Sequence, residues 1–278
     1  MSSNTNSKSL YLKTVDGNEN LPISEIGLGT IAWGDESYGF NKQYREKDLK
    51  ETYRKAREIG LNFFDTAEVY GFGKSEELLA EFAKDVGAGV ETAPALATKF
   101  APIPFRWSAE DVPKALEASL KRLGVSKVAL YMQHWPAFGL PGVTEACNDA
   151  FLEGLCLCYE QGLCRAVGVS NFNVELLDET IATAAEHRPC VNQVEVHPGN
   201  RNDALRAACA ERGVVVEAYA PLGTSRAQSS ADGPSSCDAV APVAKQRKGR
   251  RRSPPRHPDR SRSQRGGPPR GRPQAAAA

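Results

Sequence analysis

"GLGTIAWG", Gly27–Gly34, decides the fold. It closes the first short apolar run, Ser24–Thr30. A doubly wound dinucleotide-binding sheet carries its GxGxxG fingerprint at such a place. This stretch does not supply it. A second glycine pair in "YGFGKSE", Tyr70–Glu76, follows the second apolar run and lacks the third glycine. Repeated strand–helix units fit an open sheet and a closed barrel equally well. Without the fingerprint, the reading goes to the barrel.

Outward from Gly27–Gly34 the same unit repeats. Strand candidates are Ser24–Thr30, Leu61–Phe64, Ala95–Lys99, Lys127–His134, Arg165–Ser170, Val191–Val196 and Val214–Ala220. Most are apolar without strict alternation, as parallel strands covered on both faces are. Between them run amphipathic helices. After Arg45 a stripe of Leu49, Tyr53, Ala56 and Ile59 recurs at helical spacing. After Ser108, read as an N-cap, a stripe of Val112, Leu116, Leu120 and Leu123 runs to Gly124. "LKTVDGNENLPI", Leu12–Ile23, reads as a hairpin turning at Asp16-Gly17.

The chain has 278 residues, enough for one barrel of about 250 residues. Its net charge of +1 hides a split. Residues 224–278 hold 11 Arg, 2 Lys and 3 Asp, whereas residues 1–223 carry 22 basic and 31 acidic side chains. No apolar run is long enough to span a bilayer, and the first ten residues lack the apolar core of a secretory signal. Seven cysteines without CxxC spacing read as reduced thiols in a cytoplasmic compartment, with a plastid as the alternative; Cys156, Cys158 and Cys164 do not read as a metal site.

In a barrel, side chains at the C-terminal ends of the strands share one mouth. Asp65, Lys99 and His134 end the second, third and fourth strand candidates, 34 and 35 residues apart. Tyr70 follows Asp65 on a loop. The reading sets the three ionisable residues at one height under Tyr70. A tyrosine with an ordinary pKa near 10 is a poor proton donor, and a lysine beside it is expected to lower that pKa. Asp65 would keep Lys99 charged, and His134 would hydrogen-bond the oxygen that Tyr70 protonates. The set suits protonation of a carbonyl oxygen while a hydride, which no side chain carries, attacks the carbon.

With these residues in place the sequence resembles the aldo-keto reductases. The matching segments are "GLGT", "FDTAEVYG", "ATKF", "LYMQHWP", "VGVSNF", "NQVEVHP" and "AYAPLG", in family order. They cover about residues 10–223, and "YGFGKSEE" is similar to the bacterial, plant and channel β-subunit-like subgroup. The resemblance implies a (β/α)8 barrel and NADPH-dependent reduction of an aldehyde or ketone. It implies Tyr70 as general acid, Lys99 and Asp65 as its tuning pair and His134 as substrate orienter. It implies cofactor contacts from Gly29, Thr30, Asp65, Ser170, Asn171 and Gln193, with Tyr219 stacked on the nicotinamide. A barrel that holds nucleotide as a regulator, with turnover incidental, is the alternative. Trp33, Trp107 and Trp135 lie on loops of the same mouth; each either lines a substrate pocket or packs under its loop.

The resemblance ends at Gly223. After Leu222 the chain has no Leu, Ile, Phe, Tyr, Trp or Met. Residues 224–278 therefore read as a disordered basic tail, separate from an incomplete barrel over residues 1–223 whose eighth strand and last helices are absent. Two origins compete: a tail that binds nucleic acid through its arginines, and non-native coding sequence from a GC-rich frame, which the composition favours. On either origin, the adenosine-phosphate half of a cofactor site would lack its family partners, and the chain as written is expected to bind NADPH poorly and to reduce carbonyls weakly or not at all, with an inactive aberrant product as a further alternative.

Overall fold

The computed structural model describes residues 10–13, 20–86, 93–103, 105–137, 147–184 and 187–223. An antiparallel hairpin of β1 (Leu10–Lys13) and β2 (Asn20–Ile23) opens the chain. Its expected turn at Asp16-Gly17 lies outside the described residues. Seven parallel strands follow in chain order: β3 (Leu28–Gly29), β4 (Phe63–Asp65), β5 (Ala95–Phe100), β6 (Leu130–Gln133), β7 (Val167–Ser170), β8 (Val191–Glu195) and β9 (Val215–Tyr219). Each pairs with the next, and helices alternate with the strands from β3 to β9. They are α1 (Glu46–Glu58), α2 (Lys74–Val86), α3 (Asp111–Leu123), α4 (Cys147–Glu160), α5 (Val174–Thr183) and α6 (Asp203–Glu211). Strictly sequential parallel order is the connectivity of the TIM-type barrel, so the barrel is the observed fold; seven of its strands fall among the described residues. An eighth strand and the tail would fall in residues 224–278, outside them.

Period-two alternation sorts the strand side chains into two cores. Phe63, Ala95, Ala97, Leu130, Met132 and Val191 form the barrel interior, closed at one end by Ile23 from the hairpin. Phe64, Leu96, Phe100, Tyr131 and Val167 face the helices and pack on Tyr53, Leu78, Phe82, Leu116 and Phe151. The interior is tight. A Cβ on Gly168 would lie 3.0 Å from both Met132 Cγ and the Val191 carbonyl oxygen.

The α3 stripe is as expected: Val112, Leu116, Leu120 and Leu123 are buried, and Gly124 ends the helix at φ +66°. Burying one such leucine contributes about 1.5–3 kcal/mol. Two local readings are corrected. Ser108 is not the cap; the helix starts at Asp111, whose carboxylate accepts from the backbone N–H of Trp107 and Ser108 at 2.9 and 3.0 Å. Ile59 is not in the α1 stripe but 69% exposed, because the helix stops at Glu58 and the chain turns away through Gly60 at φ +88°.

Candidate active site

The inner face of each strand delivers the polar residues to one mouth. Phe63 is followed on that face by Asp65, Ala95 and Ala97 by Lys99, and Leu130 and Met132 by His134 just past β6. They are not level, as the sequence reading had them. Asp65 lies opposite Ala97 and Lys99 opposite Met132, a two-residue stagger at each step. The long lysine spans it. Lys99 Nζ donates to Asp65 Oδ1 and Oδ2 at 2.6 and 2.7 Å and to the Thr66 carbonyl at 2.9 Å. It stands 3.4 Å from the Tyr70 hydroxyl and 5.0 Å from the ring centre.

Tyr70 opens a short 3-10 turn, Tyr70–Gly73. Gly71 (φ +54°) lets this loop lie against the loop after β3: a Cβ there would sit 2.9 Å from the Trp33 carbonyl oxygen and the Gly34 carbonyl carbon. From the other side, Glu68 accepts from the Ala101 backbone N–H at 2.7 Å and from Arg106, whose guanidinium lies over the Phe100 ring. This clamp between the loops after β4 and β5 was not read from the sequence, although Glu68 stands inside "FDTAEVYG". Arg106→Ala removes the charged donor from a buried carboxylate. The expected cost is about 1.5–3 kcal/mol, read as a lowered midpoint in denaturant.

The electrostatics reverse one expectation. Tyr70 is pushed up to about 12, not down, because burial disfavours the phenolate more than Lys99 favours it, and Asp65 opposes it further. Burial pulls Lys99 down, yet Asp65, Tyr70 and Glu217 together hold it above its ordinary value. His134 falls to about 3, through burial and then the charge of Lys99, so its imidazole is neutral. Its ring stands edge-on to Tyr70 at 5.5 Å, and its buried Nδ1 has no partner among the described residues.

The residues expected at the cofactor are joined in one network. Ser170 Oγ donates to the Gln193 carbonyl at 2.9 Å. Asn171 Nδ2 donates to the His134 carbonyl and to Ser170 Oγ, both at 3.0 Å, and Asn171 Oδ1 accepts from the Tyr219 hydroxyl at 2.9 Å. Gln193 Nε2 donates to Glu217 Oε1 at 2.7 Å. Gly29 lies opposite Asp65. Thr30 is fully buried, and its hydroxyl donates to the Asp65 carbonyl and accepts from Ser75 Oγ, so that hydroxyl is committed to the scaffold.

The tryptophans divide. Trp33 is 4% exposed and packs on Phe82 in the helix-side core, the second of the two places read for it: the ring fills space under its loop. Trp135 lies beside the His134 ring at 4.5 Å. Trp107 is exposed, edge-on to an exposed Phe105, and Phe72, two residues after Tyr70, is wholly exposed.

A profile of the aldo/keto reductase family matches residues 25–254. The chain belongs to the aldo/keto reductase family. That match runs past Gly223, where the sequence reading ended the resemblance. The chloroplastic pyridoxal reductase of Arabidopsis thaliana is 32% identical over 73% of this chain. The glycerol 2-dehydrogenase (NADP(+)) of Saccharomyces cerevisiae is 32% identical over 77% of this chain and 70% of its own. Among solved structures, a Bombyx mori aldo-keto reductase in complex with NADP superposes with a TM-score of 0.68 at 28% identity, covering 86% of this chain and 76% of that one. The chain spans 58% of the length of the Arabidopsis protein. Among the described residues of this aldo/keto reductase family member, no helix is long and apolar enough to cross a membrane.

Glu217 is the inner-mouth residue that sequence reasoning missed. It interrupts the apolar run "VVVEAYA" as Asp65 and Lys99 end theirs. Burial, then Asp65, pushes its carboxyl up from 4.5 to about 8, with Lys99 and Gln193 opposing. Between those two values the folded chain holds a proton that the unfolded chain has released, so stability falls as pH rises through the window. The melting temperature of the parent should drop relative to Glu217→Gln as pH is raised from 4.5 to about 8, then run parallel. A pH-independent difference would show an ordinary carboxyl.

Proposed function

We propose that this chain reduces an aldehyde or ketone to the alcohol with NADPH. The observation that carries the reading is the buried Asp65–Lys99 ion pair set under the Tyr70 hydroxyl, with a neutral His134 beside it. The nicotinamide half of a cofactor fits the residues present. Buried polar atoms rarely go unpartnered, and His134 Nδ1 marks a place for a bound polar group. Gln193 Oε1 takes no hydrogen bond among the described residues, while the Tyr219 ring is held in place by Asn171 through its hydroxyl. When bound, NADPH supplies the hydride.

This chain's residues do the rest. His134 donates a hydrogen bond from its neutral ring and fixes the carbonyl oxygen. Tyr70 gives that oxygen its phenolic proton as the carbon takes the hydride, so the C=O bond becomes CH–OH. A phenol held near 12 is fully protonated at neutral pH, and a developing alkoxide is the stronger base. Lys99 stabilises the phenolate left behind, and Asp65 keeps Lys99 charged and aimed. Exposed Phe72, Phe105 and Trp107 favour substrates with an apolar or aromatic substituent. The six free cysteines among the described residues suit the cytoplasm, the compartment we assign. The nucleic-acid binding weighed for residues 224–278 concerns residues outside the described ones and forms no part of this reading.

The test is NADPH consumption by the purified chain with a panel of aliphatic and aromatic aldehydes, with alcohol formation measured in parallel. Stoichiometric alcohol supports the reading. Tight nucleotide binding without alcohol from any aldehyde contradicts it.

A further inference from the structure

Glu217 sits where an acid is costly. β9 alternates with period two, so Val215, Glu217 and Tyr219 share one face, and Glu217 lies one inner layer below Tyr219. It is paired across the sheet with Gln193 of β8. Its Oε1 accepts from Gln193 Nε2 at 2.7 Å, while its Oε2 is buried with no partner among the described residues. The charged groups facing it are Asp65, which repels its carboxylate, and Lys99, which attracts it; Tyr70 stands within electrostatic reach. Lys99 already holds both oxygens of Asp65, so Glu217 is not needed as its counter-ion. An apolar side chain at 217 would fill the barrel without the desolvation penalty of a buried carboxyl.

What Glu217 does have is one bond, and that bond has a direction. A side-chain amide has a donor end and an acceptor end, and the two can exchange by rotation. Glu217 Oε1 accepts from Gln193 Nε2, which turns the Gln193 nitrogen to Glu217 and the Gln193 oxygen the other way; above about 8 the carboxylate can only accept, and below it the proton belongs on Oε2, which leaves Oε1 the acceptor. That oxygen is the end without a partner among the described residues, on a residue that pairs across the sheet with Ser170. We propose that Glu217 is a positioning residue that fixes the Gln193 amide with Oε1 presented as an acceptor for the carboxamide N–H of a bound nicotinamide. The proposal rests on the NADPH reading above. It adds a residue that touches neither cofactor nor substrate and acts through Gln193 alone.

The experiment compares two ligands that differ only by the nicotinamide moiety, NADPH and 2′-phospho-ADP-ribose, titrated calorimetrically into the full chain. Glu217→Ala should weaken NADPH about tenfold, the worth of one oriented hydrogen bond, and leave 2′-phospho-ADP-ribose unchanged. Glu217→Gln keeps an acceptor oxygen and should stay within about twofold of the parent on both ligands. Gln193→Ala should reproduce the tenfold loss, and the double variant should lose no more than either alone. Glu217→Leu, which removes the acceptor but keeps the volume, repeats the comparison without a cavity. Equal weakening of both ligands, or of neither, overturns the positioning role and leaves the reductase reading standing. A parent chain that binds NADPH no better than 2′-phospho-ADP-ribose has no nicotinamide subsite, and both readings fall together.

Discussion

Tyr70→Phe should lower the proposed aldehyde reduction at saturating NADPH by about 10²- to 10⁴-fold, the range a positioned general acid supplies. The substitution removes one oxygen and keeps the ring, so its packing at the mouth survives. Lys99 loses a neighbour at 3.4 Å but retains Asp65 and the Thr66 carbonyl. NADPH affinity should therefore stay within about threefold of the parent, because the role proposed for the phenol is on the substrate oxygen. Since the effect is a ratio at saturation, it does not depend on how tightly the adenosine half is held. A loss confined to KM, or equal rates in variant and parent, would move the proton donor elsewhere.

The second large effect is on stability. Lys99 is fully buried and Asp65 nearly so. Lys99→Met leaves the Asp65 carboxylate in the barrel without its cation, which costs about 3–5 kcal/mol. The double variant Asp65→Asn/Lys99→Met removes both charges and should recover most of that loss, because the penalty lies in the unpaired charge more than in the absent pair. Equilibrium denaturation of parent, single and double variants reads the coupling directly. A double variant no more stable than Lys99→Met would show that packing, not charge, holds this layer together. Neither variant should reduce aldehydes, so stability and activity separate in the double variant.

Much of this was legible in the sequence for a physical reason: the two periods differ. Apolar runs such as Ala95–Lys99 and Val191–Val196 cannot be read as amphipathic helices, while the α3 stripe can be read as nothing else. The ends of elements were less legible. Ser24–Thr30 shrinks to β3 at Leu28–Gly29 because only those residues pair with β4, while the Ser24 hydroxyl and backbone bond to Ile26 and Asn62. Asp65, Lys99 and His134 stood out because each closes an apolar run. Glu217 carried the same signal two residues before the end of its strand, one layer down, where a rule about strand ends does not look. Burial depth was not legible at all. It decides that Tyr70 rises where the adjacent lysine suggested a fall, and that Trp33 packs in the core while Trp107 stays exposed.

The central claim, hydride to carbon and proton from Tyr70 to oxygen, is tested most directly by isotope. The full chain is incubated with an aldehyde and NADPH carrying deuterium at the transferable C4 position, and the alcohol is analysed by mass spectrometry. The account predicts alcohol with one deuterium on the former carbonyl carbon from the parent, and at least a hundredfold less from Tyr70→Phe. Alcohol without deuterium at that carbon, or deuterated alcohol formed equally fast by Tyr70→Phe, would contradict it.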